Sequence, residues 1–313
     1  MTTRRPARHH ATADSTMLPP GVAAAVRARD SGLLLASLAP LVTAHADSLR
    51  GAHKFALYKI AEAELQDGAE ARRWASELSK RGEPIAKQFA MHLVALHSAH
   101  ARTEADAVVR VVQRGADDEN WEVRETAGGV LARLLDEAPD TFGPVLKAWS
   151  RSPSANLRRA VVLALKYAVR SQPSKADDFL DVLEGLASDG DEYVRKNLGP
   201  FALGDGFLRA APGPTLRRLD RWARSKDEWV VWNCVSAFTA ASARKHAEEG
   251  VRILRIAAAD GRPMVARAVV RALVNLAQGD RSKVVRAVSA WGEDPARRAA
   301  ASAFQARVIG RSM

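Results

Sequence analysis

A short pattern recurs along this chain every 34–38 residues or so, and repetition at that interval confines a chain to a few folds. Each copy opens with an acidic or polar turn. Val-Arg or an equivalent pair follows, and then small and apolar residues at helical spacing. The pattern appears as Asp117-Asp118-Glu119-Asn120-Trp121-Glu122-Val123-Arg124 and again around Asn156-Leu157-Arg158-Arg159. It returns at Asp191-Glu192-Tyr193-Val194-Arg195, at Asp227-Glu228-Trp229-Val230-Val231 and at Arg262-Pro263-Met264-Val265-Ala266-Arg267. Weaker echoes lie at Phe55-Ala56-Leu57 and Ile85-Ala86-Lys87.

The interval fits a pair of helices. One copy predicts a first helix over Ala105 to Arg114 and a second over Trp121 to Leu135, with Val123, Ala127, Val130, Leu131 and Leu134 on one stripe. One helix pair cannot cover that stripe, so neighbouring pairs must stack. Ala127, Gly128 and Gly129 would let them approach closely. Ala, Leu, Val and Arg dominate while aromatics make up 6%, a mixture that favours helix over strand. Pro139, Pro153, Pro173, Pro212, Pro214 and Pro263 fall between helical stretches or in a first turn. Gly204-Asp205-Gly206 interrupts a helical stretch and reads as a turn, a helix end or a kink. The expectation is an all-α helical-repeat solenoid, an α–α superhelix with a concave basic face, forming a single domain over residues 19–313. Residues 1–18 read as a disordered basic N-terminal arm, since they carry charge but no apolar segment of a signal peptide.

The formal net charge is +11, of which residues 1–18 hold only two. A basic surface of that size meets nucleic acid or an anionic membrane. No 18-residue apolar run predicts a membrane span, and nucleic acid is the expected partner, with the chain monomeric, cytoplasmic and nucleoid-associated. The single cysteine, Cys234, excludes an internal disulfide framework and reads as a buried helix position.

Three segments carry a resemblance to a known family. They are Asn120-Trp121-Glu122-Val123-Arg124-Glu125, the run Leu157-Arg158-Arg159-Ala160-Val161-Val162-Leu163 leading into Leu165-Lys166-Tyr167, and Glu192-Tyr193-Val194-Arg195-Lys196-Asn197-Leu198. Together they resemble the HEAT-like DNA glycosylases of alkylation repair, the AlkD and AlkC type, over roughly residues 115–240. The resemblance implies hydrolysis of the N-glycosidic bond of cationic N3- or N7-alkylated purines in duplex DNA, with no cofactor and no metal. It implies Glu125 as the catalytic carboxylate, Trp121 as the aromatic clamp and Arg159 as a grip on a flanking phosphate. The spacing suits this chemistry, because residues four apart share one side of a helix. A carboxylate there can stabilise a sugar that gains positive charge as the bond breaks, and an indole face attracts the same cation. Arg158, Lys196, Trp229, Trp232, Arg244 and Lys245 are further DNA-binding candidates, with Arg267 and Arg271 on the same basic wall. The chain departs from the AlkD branch where that branch has a second active-site Trp: Pro200 stands there, followed by Phe201. Phe201, Trp229 or Trp232 could take the role.

Plainer readings exist for the same residues. Trp121 can be a packing side chain and Glu125 a surface ion-pair partner. Arg124 and Arg195 stand where helical repeats place an arginine that bonds an acid of a neighbouring repeat. His92, His97 and His100 lack the spacing of a zinc helix and read as surface histidines. Trp149 and Trp222 read as core. The functional alternatives to a glycosylase are a non-catalytic DNA-binding array and a protein-interaction scaffold.

Overall fold

In four of the five clear copies the polar turn that opens the pattern is a helix N-cap. In the computed structural model, which describes residues 18–96 and 104–309, side-chain oxygens there take up first-turn N–H groups that have no partner within the helix. Asn120 Oδ1 accepts from Glu122 N at 2.9 Å, Ser154 Oγ from Leu157 N at 3.4 Å, Asp191 Oδ1 from Tyr193 N at 2.7 Å and Asp227 Oδ1 from Trp229 N at 2.8 Å. The arginine of the pair then reaches back over its own turn. Arg124 Nη1 donates to the carbonyls of Asp118 and Glu119 at 2.6 and 2.8 Å, and Arg158 Nη1 to those of Ser152 and Pro153 at 2.8 and 3.0 Å. Arg195 does the same to the carbonyl of Asp189. Arg124 and Arg195 were expected to bond an acid of a neighbouring repeat. Both donate to carbonyls of their own turns, and Arg158 makes an inter-repeat ion pair, at 2.6 Å to Asp189.

The fold is an all-α repeat array whose residue contacts gather into two units, up to Ala127 and from Gly128 onward. The first unit holds α1 (Gly21–Ala28), α2 (Ser31–Leu38), α3 (Gly51–Glu64), α4 (Gly68–Leu78), α5 (Pro84–Leu96), α6 (Ala105–Ala116) and the start of α7 (Trp121–Glu137). It also contains a short hairpin, with β1 (Val42–Thr43) antiparallel to β2 (Ser48–Leu49). The second unit continues with α8 (Pro139–Trp149), α9 (Ala155–Ser171), α10 (Ala176–Glu184) and α11 (Glu192–Asn197). A π-helical segment, Leu198–Phe207, leads into α12 (Leu208–Ala210). After it come α13 (Pro212–Trp222), α14 (Glu228–Ala237), α15 (Ala247–Ala257), α16 (Pro263–Leu276), α17 (Arg281–Ser289) and α18 (Pro295–Ile309). Second helices stack on one another in chain order: α9 on α11 and the π-segment, these on α14, then α16 and α18. Of the expected stripe, Val123, Ala127, Leu131 and Leu134 are buried and Val130 is half-buried. Trp149, Trp222 and Cys234 are core residues. Burial pushes the Cys234 thiol far up, so it is inert at neutral pH.

Gly204-Asp205-Gly206 is neither a turn nor a helix end. It lies inside the π-helical segment, which runs on from α11 without a break. Two local facts account for the wider turn. Pro200 has no N–H for an ordinary i to i−4 bond. The glycines also admit their neighbours: a Cβ on Gly204 would stand 2.6 Å from the Ala237 carbonyl oxygen, and one on Gly206 would stand 2.8 Å from Lys166 Cγ.

The adjacent glycines of α7 separate packing from propensity. A Cβ on Gly128 would fall 2.6 Å from Leu163 Cβ, whereas one on Gly129 meets nothing within 4 Å. Close approach is thus a property of Gly128 alone. Gly129→Ala is expected to raise stability by about 0.5–1 kcal/mol through helix propensity. Gly128→Ala is expected to lower it, since overpacking costs roughly 1–3 kcal/mol and exceeds the same gain. Thermal melts of the two variants check the opposite signs.

Candidate functional site

Asn120 organises the entry to α7. Its backbone N–H donates to Asp118 Oδ1 at 2.9 Å, its side-chain oxygen caps the helix, and its Nδ2 donates to the Ala46 carbonyl at 2.7 Å. That last bond ties the turn to the tip of the β1–β2 hairpin. Ala46 and Asp47 both sit at positive φ, 59° and 47°, a conformation that costs non-glycine residues energy and is kept where surrounding contacts enforce it. The hairpin presents His45 to Trp121, with ring centroids 5.4 Å apart and planes at 66°. Nothing in the local pattern pointed to His45, because its place depends on a bond to a distant turn.

Trp121 is 47% exposed, whereas Trp74, Trp149, Trp222 and Trp291 are buried. Glu125 lies one turn further along the same helix and is half-buried. Between them Glu122 faces α3 and pairs with Lys54 Nζ at 2.6 Å. Burial, helped by the Glu122 carboxylate, pushes the Tyr58 hydroxyl up to about 12, so Tyr58 stays neutral. Its ring stacks on His92 at 3.8 Å. His92 is therefore a packed residue rather than a surface one, and His97 and His100 lie outside the described residues. Among the described residues no cluster of His, Cys, Asp or Glu could hold a metal ion. Beside the Asn120 turn lies an open groove of about 1030 Å³. Its cations Lys80, Arg81, Lys87 and Arg114 are matched by Asp47, Asp117, Asp118 and Glu119.

The other candidates belong to the second unit. Arg159 is 8% exposed, its guanidinium 4.6 Å from the centroid of the Tyr193 ring. Arg195 repeats this one repeat later, 3.7 Å from the centroid of Trp229, whose indole meets Trp232 edge-on at 6.2 Å. An arginine at the start of one second helix thus covers an aromatic at the start of the next, a cation–π ladder. Arg158 is committed inward, bonding Asp189 through Nε and Nη2 at 2.6 and 2.9 Å as well as its own turn. Lys196 is exposed and pairs with Glu192 at 2.6 Å. Arg244 Nε donates to Asn275 Oδ1 at 3.0 Å, and Lys245 is exposed. Phe201 is half-buried under the Lys166 ammonium, 2.9 Å from the ring centroid. No helix among the described residues is long and apolar enough to cross a membrane.

The HEAT repeats family model matches residues 108–199. A search of curated proteins finds no match. Among solved structures the chain is similar to YibA of E. coli, at 14% identity over 96% of this chain and 99% of that one, with a TM-score of 0.39. It is similar to Kap95p, from a structure of Kap95p bound to RanGDP, at 11% identity over 91% of this chain and 41% of that one, with a TM-score of 0.46. A computationally designed armadillo repeat protein for modular peptide recognition matches at 14% identity over 82% and 98%, with a TM-score of 0.27. Likenesses at this level say nothing of activity or partner.

The Arg158–Asp189 pair makes stability depend on acid. Burial alone would raise the Asp189 carboxyl, but the hydrogen bonds from Arg158 and from the Asp191 N–H outweigh it and hold the group below its ordinary 3.8. A carboxylate depressed on folding contributes stability that is whole above its unfolded pKa and is lost as pH falls through the folded one. Wild type should therefore lose stability as pH drops below about 4. Asp189→Asn should be less stable at pH 7 and lack that share of the acid loss, as denaturant midpoints at pH 7 and pH 3 would reveal.

Proposed function

We propose that the chain is a DNA N-glycosylase that excises cationic N3- or N7-alkylated purines from duplex DNA. The observation that carries this reading is the exposed Trp121 indole, braced by His45 one helical turn ahead of the Glu125 carboxyl. An alkylated purine already bears positive charge and leaves with the bonding electron pair as a neutral base, so a strong general acid is unnecessary. The deoxyribose left behind gains positive charge at its anomeric carbon. Glu125 would oppose that charge and orient water for attack, taking the proton the water sheds. The Trp121 face would hold the same cation.

Phosphate contacts divide differently from the sequence expectation. Arg159 is buried against Tyr193 and acts in this reading as a fixed positive charge that holds the Tyr193 ring in place. Arg158 serves the fold. Lys196, exposed and in an i, i+4 pair with Glu192, is a contact available to a backbone phosphate.

The test is release of 7-methylguanine or 3-methyladenine from alkylated duplex DNA. Wild type is expected to release base, Glu125→Gln to lose about 100-fold or more in rate, and Trp121→Ala to lose roughly 10-fold, with melting temperatures little changed. Salt-sensitive duplex binding without base release, indifferent to Glu125→Gln, would replace this reading with non-catalytic DNA binding.

A further inference from the structure

A second positively charged feature lies wholly within the second unit, at the end of the π-helical segment. The Asp205 carboxylate there is approached by three cations. Arg209 forms an ion pair with it, while Lys166 Nζ and Arg170 Nη2 each stand 3.7 Å away. Lys166 is 3% exposed, and its ammonium is fixed over the Phe201 ring.

Directly beside this cluster is a cleft of about 410 Å³. Arg209, Lys245 and His246 line it together with the apolar Leu208, Pro212 and Ala241. None of the residues lining it is acidic, unlike the groove beside Asn120, where cations and carboxylates balance. The nearby Glu248 turns to Lys283 at 3.4 Å. The cleft is also built rather than incidental. Ser242 Oγ donates to the Gly204 carbonyl at 2.6 Å, fastening the 241–246 turn to the π-segment, and Gly204 permits that approach because a Cβ there would collide with Ala240. The π-turn thus brings Arg209 and Lys245, from two different segments, to one cleft.

We propose that this cleft binds a phosphate group carried on an organic body. The group would lie between Arg209 and Lys245, with its carrier against Leu208 and Pro212. Arg209 offers a planar fork suited to a tetrahedral oxyanion, and Lys245 a mobile point charge. The phosphate could come from a free nucleotide or from a nucleic-acid backbone, since both present the same anion. The inference does not rest on the glycosylase reading, whose residues lie in another part of the chain.

Isothermal titration of the full chain with inorganic phosphate, with AMP and with an undamaged 12-base-pair duplex tests it. Saturable binding of phosphate or AMP that weakens five-fold or more in Lys245→Ala and in Arg209→Gln is the expected result. Displacement of AMP by the duplex would assign the site to a nucleic-acid backbone; binding of AMP undisturbed by the duplex would assign it to a free nucleotide. Arg209→Gln alters the link to Asp205, so Lys245→Ala, at an exposed position, is the variant that must show the loss with an unchanged melting temperature. No saturable binding of any of the three by wild type, or binding indifferent to Lys245→Ala, would overturn the proposal. Glu125→Gln should bind AMP as wild type does, so failure of the glycosylase assay and failure here are separate outcomes.

Discussion

A guanidinium folded back over its own turn is the contact on which the rest of this array depends. Arg124, Arg158 and Arg195 each donate to carbonyls five or six residues earlier, in the turn that caps their helix. Turn carbonyls have no helical partner, and leaving the part-buried ones, those of Asp118, Ser152 and Asp189, unmet would cost on the order of 1–3 kcal/mol each. An arginine can serve two at once because its donors are held in a planar fork. Once the turn is closed in this way, the entry of α7, α9 and α11 is fixed. The residue after the arginine then occupies the same register position in each copy: Glu125, Arg159 and Lys196. That common register is why the candidate residues form a series rather than a scatter.

The repeat itself was plain in the sequence, because each copy must cap a helix, close a turn and bury a stripe, and these tasks call for recognisable residue types at fixed spacing. The breakers behaved as expected: Pro139, Pro212 and Pro263 open α8, α13 and α16. What could not be read there is whatever depends on inter-repeat register. Arg159 over Tyr193 and Arg195 over Trp229 join residues more than thirty positions apart. Gly204-Asp205-Gly206 misleads for a related reason. Glycines usually mark a break, but here they serve the approach of α9 and α14 to a helix that continues. The site was legible to the same degree. The four-residue spacing of Trp121 and Glu125 follows from helix geometry, while His45, which braces the indole, arrives from a strained hairpin bonded to Asn120.

Charge is handled in two ways along the chain. Arg158, Arg195 and Arg218 are drawn into turns and ion pairs, where they hold repeats together. Lys196, Lys245, Arg267 and Arg271 remain exposed, and a phosphate could reach them without disturbing the fold. A count of Lys and Arg therefore overstates the surface available to an anion. The exposed indole of Trp121 stands apart from this accounting, since neither ion pairing nor core packing requires it.

Amide hydrogen exchange in Arg158→Lys examines the turn-closing role most directly. Lysine keeps the positive charge and most of the length, but it cannot span the Ser152 and Pro153 carbonyls and the Asp189 carboxylate together. Exchange at Leu157 and Arg158, in the first turn of α9, should accelerate ten-fold or more, the equivalent of about 1.4 kcal/mol, while α16 keeps its protection. Unchanged protection across the start of α9 would contradict the account, because the cap and the apolar stripe would then fix the helix without the arginine.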